Sequence, residues 1–312
     1  YSTNVFNVTL DGGCTVKGNA NVAYGVHASN TGSSTIQGIN VKNVTTAGVK
    51  LDYGNTVNLT DVMVSQYVNG VFTTVPTTAG IWADHFNNLT YINPRPENLP
   101  AAAGLKFTSA SVVKVIGGTS EGNKYAMTAD AASSDIELDH MDNEANITRG
   151  VSSAARGTII NGGIYSGLTS PSDDIDFLSG CLHCTVTNEV LVNGITVAAG
   201  AESVVLENST FGQNGGTITD SGTGTTIFNM KDQNGGAQFS NKQAAYPGAY
   251  NIGNGTATAG VRINAELSEI KPANVAVETG ASANNAIVAT LTINGVSITP
   301  GAVYAEDDED ES

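Results

Sequence analysis

The chain has 312 residues, a formal net charge of −16 and only 13% charged side chains, about half the roughly 25% of an average soluble domain. Its 13 Lys and Arg are scattered, which excludes the clustered basic surface that nucleic-acid binding requires. No apolar run is long enough to predict membrane insertion. Six of the acids lie in one run, residues 306–311, which reads as a solvated tail and leaves about −10 for the rest. The chain opens on Tyr1 with neither an initiator Met nor a signal peptide, as expected of a processed product or a fragment.

One short pattern recurs: an apolar residue, an alternating strand, then a polar turn rich in Gly or Asn. It occupies residues 36–41, 59–64, 89–92, 113–116, 136–139 and 159–162. The leading residues Ile36, Leu59, Leu89, Val113, Ile136 and Ile159 are almost evenly spaced, apart from one long step between Leu59 and Leu89. That step contains residues 73–78, which read as a loop inserted in one coil. A second column, Gly80-Ile81, Gly104-Leu105 and Gly150-Val151, keeps the same register. Repeats this short cannot bury an apolar face alone and must stack on their neighbours. Helical periodicity is weak throughout, and the leucine-rich repeat pattern is absent. The predicted fold is therefore all-β: a right-handed parallel β-helix over residues 1–220, with the six leading residues in one inward stack.

After Gly167 the pattern loosens, although residues 190–194 and 204–208 still read as coil strands, ending near Phe211. Residues 212–250 are rich in Gly, Asn and Gln and read as terminal turns and a connector. Beyond them, residues 287–293 alternate, Asn294-Gly295 is a strong two-residue hairpin turn, and residues 296–299 alternate again. With 261–263 and 275–277 these predict a small antiparallel module within residues 221–312, which ends in the acidic tail.

The same register carries the candidate chemistry. Eight positions after each leading residue stand Val44, Tyr67, Glu97, Glu121, Glu144 and Gly167, so three consecutive coils place a Glu at one position. Stacked carboxylates repel, which raises at least one pKa and suits a general acid. The alternative is a solvated Glu beside an Asn that satisfies turn backbone, since Asn98, Asn123 and Asn146 follow closely. Asp139, His140, Asp142 and Glu144 form the densest ionisable cluster of the body. Upstream, Trp82, Asp84 and His85 offer an aromatic platform, an acid and an imidazole, although Trp82 is equally placed to fill the core beside Ile81. Arg149 can meet an acidic sugar or pair on the surface. Cys181 and Cys184 have the spacing of half a zinc site, with no second pair, and read as buried thiols rather than ligands. Asp173, Asp174 and Asp176 have the composition of a Ca²⁺ loop but not its Gly and Glu positions. No metal and no cofactor is expected.

Residues 115–123, Val-Ile-Gly-Gly-Thr-Ser-Glu-Gly-Asn, resemble the Glu-Gly-Asn coil of pectate-lyase-like β-helices in bacteriophage tailspikes and appendages, and residues 136–146 are similar to the coil that follows it. The resemblance spans roughly residues 20–211. It implies a virion-associated, extracellular homotrimer that contacts other virion proteins and binds, and often cleaves, a cell-surface polysaccharide. Carried onto this sequence, it implies functional acids at Glu121 and Glu144; the reading of the residues adds Glu97, Asp139 and Asp142 as acid–base candidates and Trp82, Asp84, His85, His140 and Arg149 as candidate substrate contacts. The chemistry implied is that of a glycoside hydrolase or polysaccharide lyase. A purely structural or adhesive β-helix is the other reading.

Overall fold

The computed structural model describes residues 2–3, 9–68, 71–72, 74, 76–166, 173–212, 216–231 and the strands 275–281, 287–293 and 296–298; side chains are placed for 9–66, 74, 76–166, 173–212 and 216–231. Among these residues there is no helix, and apart from the short pair Tyr67–Val68 and Val71–Phe72 the strands from residue 2 to residue 228 pair in parallel from one coil to the next. A coil has three strand positions, and the faces they build are called A, B and C. In one coil they are Ala103–Thr108, Ser111–Ile116 and Thr119–Glu121. Faces A and B belong to one sheet, and face C is a separate sheet of nine strands. The result is a parallel β-solenoid of about nine turns.

Alternation places every second side chain inside. One inward row on face B is Ile36, Leu59, Tyr91, Val115, Leu138, Ile160, Val186, Leu206 and Ile227, each paired in register with the next. Its longest step runs from Leu59 to Tyr91, and its shortest coils are those after Val186. The single inward stack expected of the six leading residues is therefore corrected. Ile36 and Leu59 belong to this row, while Leu89, Val113 and Ile136 lie in the adjacent inward row with Val57. Ile159 stands on the outer surface, 41% exposed. The slip arises in the long step, where Tyr91 rather than Leu89 stacks on Leu59. The insertion also sits earlier than expected: Tyr67–Val68 and Val71–Phe72 pair antiparallel. Thr77 and Thr78 already donate to the carbonyls of Thr45 and Thr46 in the previous coil.

Sharp corners require left-handed backbone. Between faces B and C the positive-φ residue of each coil is Gly38, Asp61, Asn93, Gly117, His140, Gly162, Asn188, Asn208 or Asn229. All but His140 are the residue types that tolerate this region best, and His is also enriched there. A different demand explains the glycine column. A Cβ at Gly48 would stand 2.3 Å from Val64 Cγ1, one at Gly104 2.5 Å from Ser120 Oγ, and one at Gly150 2.4 Å from the Tyr165 ring. These glycines let the inward row of face C lean against face A.

The in-register strands continue past residue 220 through Thr226–Phe228, and Lys231 bridges to Thr210. The chain divides into compact units Tyr1–Lys242 and Gln243–Ser312. In the second unit Val275–Ala281 pairs antiparallel with Ile287–Ile293, which pairs with Val296–Ile298 so that Ile293 faces Val296. Asn294-Gly295, residues 261–263 and the acidic tail lie outside the described residues.

The close approach at the glycine column gives the first expected outcome. In Gly104→Ala the new methyl meets Ser120 Oγ, the Ala126 carbonyl and Asn123 Nδ2, all within 2.9 Å. Overpacking of this kind lowers stability by about 1–3 kcal/mol, to be read as a shifted midpoint in chemical denaturation. An unshifted midpoint would show that faces A and C do not touch there.

Candidate functional site

The three glutamates occupy one outward row of face C, where Glu97 pairs with Glu121 and Glu121 with Glu144. Neighbouring rungs are ~4.8 Å apart. The row continues to Ser65 and Lys42 on one side and Ser166 on the other, not to the Val44, Tyr67 and Gly167 that an even repeat predicts. Arg95 Nη2 binds Glu97 Oε1 at 2.8 Å, which leaves Glu121 and Glu144 as the open acids. Asp142, two residues before Glu144, points to the same side of the strand. Burial, and then the charge of Glu144, push its carboxyl above the usual range. Its Oδ1 is buried without a hydrogen-bond partner.

Behind this row the chain turns through positive φ at Asn98, Gly122 and Ala145. The next residues in the latter two coils, Asn123 and Asn146, point inward and are fully buried. Asn123 Oδ1 accepts from the Leu99 amide at 3.0 Å, and Asn146 Oδ1 from the Asn123 amide at 3.2 Å. Asn123 Nδ2 donates to the Pro96 carbonyl and Asn146 Nδ2 to that of Ser120. These asparagines satisfy corner backbone, a structural duty that leaves the glutamates free for another.

Asp139 and His140 lie elsewhere, at the corner between faces B and C. His140 Nδ1 is 2.7 Å from Asp139 Oδ1, which also accepts from Asn161 Nδ2 at 3.0 Å. Below them is Glu189, only 2% exposed. It occupies the room left by Gly163, whose amide donates to its Oε1 at 3.0 Å, while Oε2 has no partner. Burial pushes its carboxyl up to about 7, against the opposing pull of the Gly163 hydrogen bond and the nearby His140. Asp174 is the second buried acid. Its Oδ2 accepts from the amides of Val192, Asn193 and Gly194 at 2.7, 2.8 and 3.2 Å, yet burial still raises it to about 6.

Face A carries the remaining expected residues. Trp82 points outward, between Lys50 of the preceding coil and Lys106 of the following one. Their ammonium groups stand 4.1 and 5.0 Å from its ring centroid, and Nε1 donates to Thr108 Oγ1 at 3.0 Å. Trp82 is thus neither core nor an open stacking platform, since cations from both neighbouring coils sit over its ring. Asp84 Oδ1 is 2.8 Å from His85 Nδ1, and the His85 ring stacks on Tyr53 at 4.7 Å. Arg149 is ion-paired with Asp176.

One further expectation is corrected. Cys181 and Cys184 are joined in a disulfide, both fully buried, and are not free thiols. Asp173, Asp174 and Asp176 bind Thr196, the 192–194 amides and Arg149 respectively. Among the described residues no group of His, Cys, Asp and Glu has metal-holding geometry.

The expected site residues therefore separate into an acidic row on face C, a dyad at the B–C corner and a charged aromatic cluster on face A. The sequence reading missed a fourth feature, a groove of about 410 Å³ on face B. It lies between the outward residues that flank Leu89, Val113 and Ile136, among them Val112, Lys114, Asp135 and Glu137. Its signal was available, one position either side of each leading residue, but these positions share no common chemistry.

The two buried acids set a pH dependence. Both are raised above their ordinary values of 3.8 and 4.5, so between these values and about 6–7 the folded chain keeps protons that the unfolded chain has lost. Their contribution is fully present below the ordinary values of 3.8 and 4.5 and is lost as pH rises through about 6 for Asp174 and about 7 for Glu189, on the order of 3 kcal/mol for each. Glu189→Gln is expected to flatten this fall and to gain stability over the parent at pH 8, measured by denaturation from pH 4 to pH 8. Equal pH slopes for the two proteins would mean that Glu189 is not buried as described.

Comparison with protein-family models, with curated proteins and with solved structures gave no match. What stands for function is therefore the fold itself, a parallel β-solenoid, and the side chains arrayed on its faces.

Proposed function

We propose that the protein is a tailspike-type receptor-binding protein that engages a cell-surface polysaccharide along its solenoid and hydrolyses it on face C. The observation behind this reading is the acidic group of Asp142, Glu144 and Glu121. Burial and the charge of Glu144 raise the Asp142 carboxyl, the direction that a general acid toward a glycosidic oxygen needs. Glu144 is then the base that activates water. A two-residue step along a strand spans ~6.5 Å, comparable to the ~6.5–9.5 Å between the acids of inverting glycosidases. Glu121, one rung away, adds negative charge that supports an oxocarbenium-like transition state. Homotrimeric assembly, contact with other virion proteins and an extracellular, virion-bound location belong to the same proposal.

A second reading, a non-enzymatic adhesive or structural β-helix, has its own support. The acidic row lies on the outer surface of face C, and the groove lies on face B. Hydrolysis gains from convergent acids in a concave site, whereas adhesion needs only a periodic polar face.

The test is a panel of capsular polysaccharides assayed for new reducing ends and, for elimination, for unsaturated products. Asp142→Asn and Glu144→Gln are expected to lower cleavage of a susceptible glycan by ~10²–10⁴-fold. Glycan binding is expected to persist, and stability to change by about 0.5 kcal/mol or less. Undiminished cleavage by both variants would remove the chemistry from face C. Binding without any cleavage by the parent would establish the adhesive reading.

A further inference from the structure

The groove on face B has a composition that the acidic row does not explain. One of its walls is formed by Asn88, Val112, Asp135 and Gly157, part of a row of left-handed residues that recurs from coil to coil: Ser33, Thr56, Asn88, Val112, Asp135, Gly157, His183, Ser203 and Gly224, with φ between 49° and 70°. Most of these are small, polar or glycine, as the conformation demands. Val112 is the exception. A β-branched apolar residue is strongly disfavoured at positive φ, and Val112 is also 52% exposed. Thr56 shares the branching, but its hydroxyl bonds Asn55 Oδ1 at 2.7 Å and accepts from Asn88 Nδ2 at 3.2 Å. Val112 has no polar group with which to offset the strain, and it packs in no core. An exposed residue held in an unfavourable conformation marks a place where function outweighs local stability.

The surroundings of Val112 say what it meets. Ile159, on the same surface and 41% exposed, is a second apolar contact. Lys114 Nζ binds Glu137 Oε1 at 2.9 Å, so the one cation in the groove is already engaged. Asp135 lies at the groove edge, and Ser134 Oγ donates to its Oδ2 at 2.9 Å. A Cβ at Gly157 would stand 3.0 Å from Asp135 Oδ1, so glycine there keeps that oxygen open. Two carboxylates against one paired lysine make the groove net negative. It therefore offers hydrogen-bond acceptors and apolar contact, and repels anions.

We propose that the face B groove is a non-catalytic binding subsite for an uncharged saccharide, whose hydroxyls donate to Asp135 and Glu137 while the C–H face of a sugar ring packs on Val112 and Ile159. This rests on the glycan-binding reading above but not on cleavage, and it excludes a polyuronate as the ligand of this groove. The volume of about 410 Å³ falls within the usual range of small-ligand sites.

The experiment is calorimetric titration of the full chain with cello-, malto- and galacto-oligosaccharides, and with oligogalacturonate as the anionic probe. At least one neutral probe is expected to bind and oligogalacturonate is not. Asp135→Asn is expected to weaken that binding by on the order of tenfold, the equivalent of one lost contact of about 1.4 kcal/mol. Val112→Asn separates function from folding, because Asn accepts positive φ: it is expected to raise the melting temperature while weakening binding by a similar factor. Neutral-probe binding that both variants leave unchanged would overturn the subsite while leaving the glycan reading intact. Binding of oligogalacturonate alone would overturn its charge selectivity, and hence the proposal. No binding of any oligosaccharide here, with a capsular polysaccharide still bound in the separate panel, would likewise remove the groove and not the function.

Discussion

Every coil of this solenoid obtains most of its strand hydrogen bonds from the coils before and after it. That single dependence governs the rest. A strand out of register would leave its amides and carbonyls unpaired in a buried sheet, at a cost of about 1–3 kcal/mol for each group. Extra residues must therefore leave the ladder, as the antiparallel pair at residues 67–72 does, so that Thr77 rejoins it opposite Thr45. The same dependence turns any outward position into a row one rung apart, and chemistry on this surface is organised as columns.

The interior shows how far stacking tolerates polar groups. Ser120 and Asn143 occupy the inward row of face C, which elsewhere holds Val41, Val64, Leu191 and Phe211. Ser120 receives a hydrogen bond from Asn123, and Asn123 and Asn146 close the corner backbone between neighbouring coils. Glu189 and Asp174 also anchor corner amides, but each leaves one oxygen without a partner. Satisfied amides such as Asn123 and Asn146 rigidify a core, whereas half-satisfied carboxyls burden it when charged; Asn143 Oδ1 is likewise buried without a partner. The coils near residues 163–194 thus respond to pH, while the amides of the asparagine ladder do not titrate.

Much of this was legible in the sequence, for reasons that particular residues expose. Glu97, Glu121 and Glu144 fell into one column because the path from strand B through the corner into strand C keeps a constant length over those three coils. The apolar leading residues were harder. Two inward rows lie two residues apart on face B and both are apolar, so Leu89 was aligned with Leu59 when its partner is Val57. Ile159 was misplaced because Ile160 is the residue that stacks on Leu138, and hydrophobicity alone does not reveal which of two adjacent isoleucines turns inward. The Cys181–Cys184 bond follows from how the corner brings the two thiols together, which a spacing shared with metal motifs does not announce. The ambiguity over Trp82 was settled by its neighbours in the adjoining coils, Lys50 and Lys106, which are remote in sequence and joined to it only by the register.

Both functional readings rest on the register that sets residues distant in sequence into columns, and spin labels can report whether it holds for the glutamates of face C. Nitroxides on cysteines replacing Glu97 and Glu144, in a chain with Cys14 changed to Ser, would be read by continuous-wave electron paramagnetic resonance. Two rungs separate the labelled backbones by ~10 Å, so the register predicts strong dipolar broadening relative to either single label, with labels at Glu97 and Glu207 serving as a pair on different faces. A double-label spectrum equal to the sum of the two single-label spectra would contradict the register, and with it every column described on these faces.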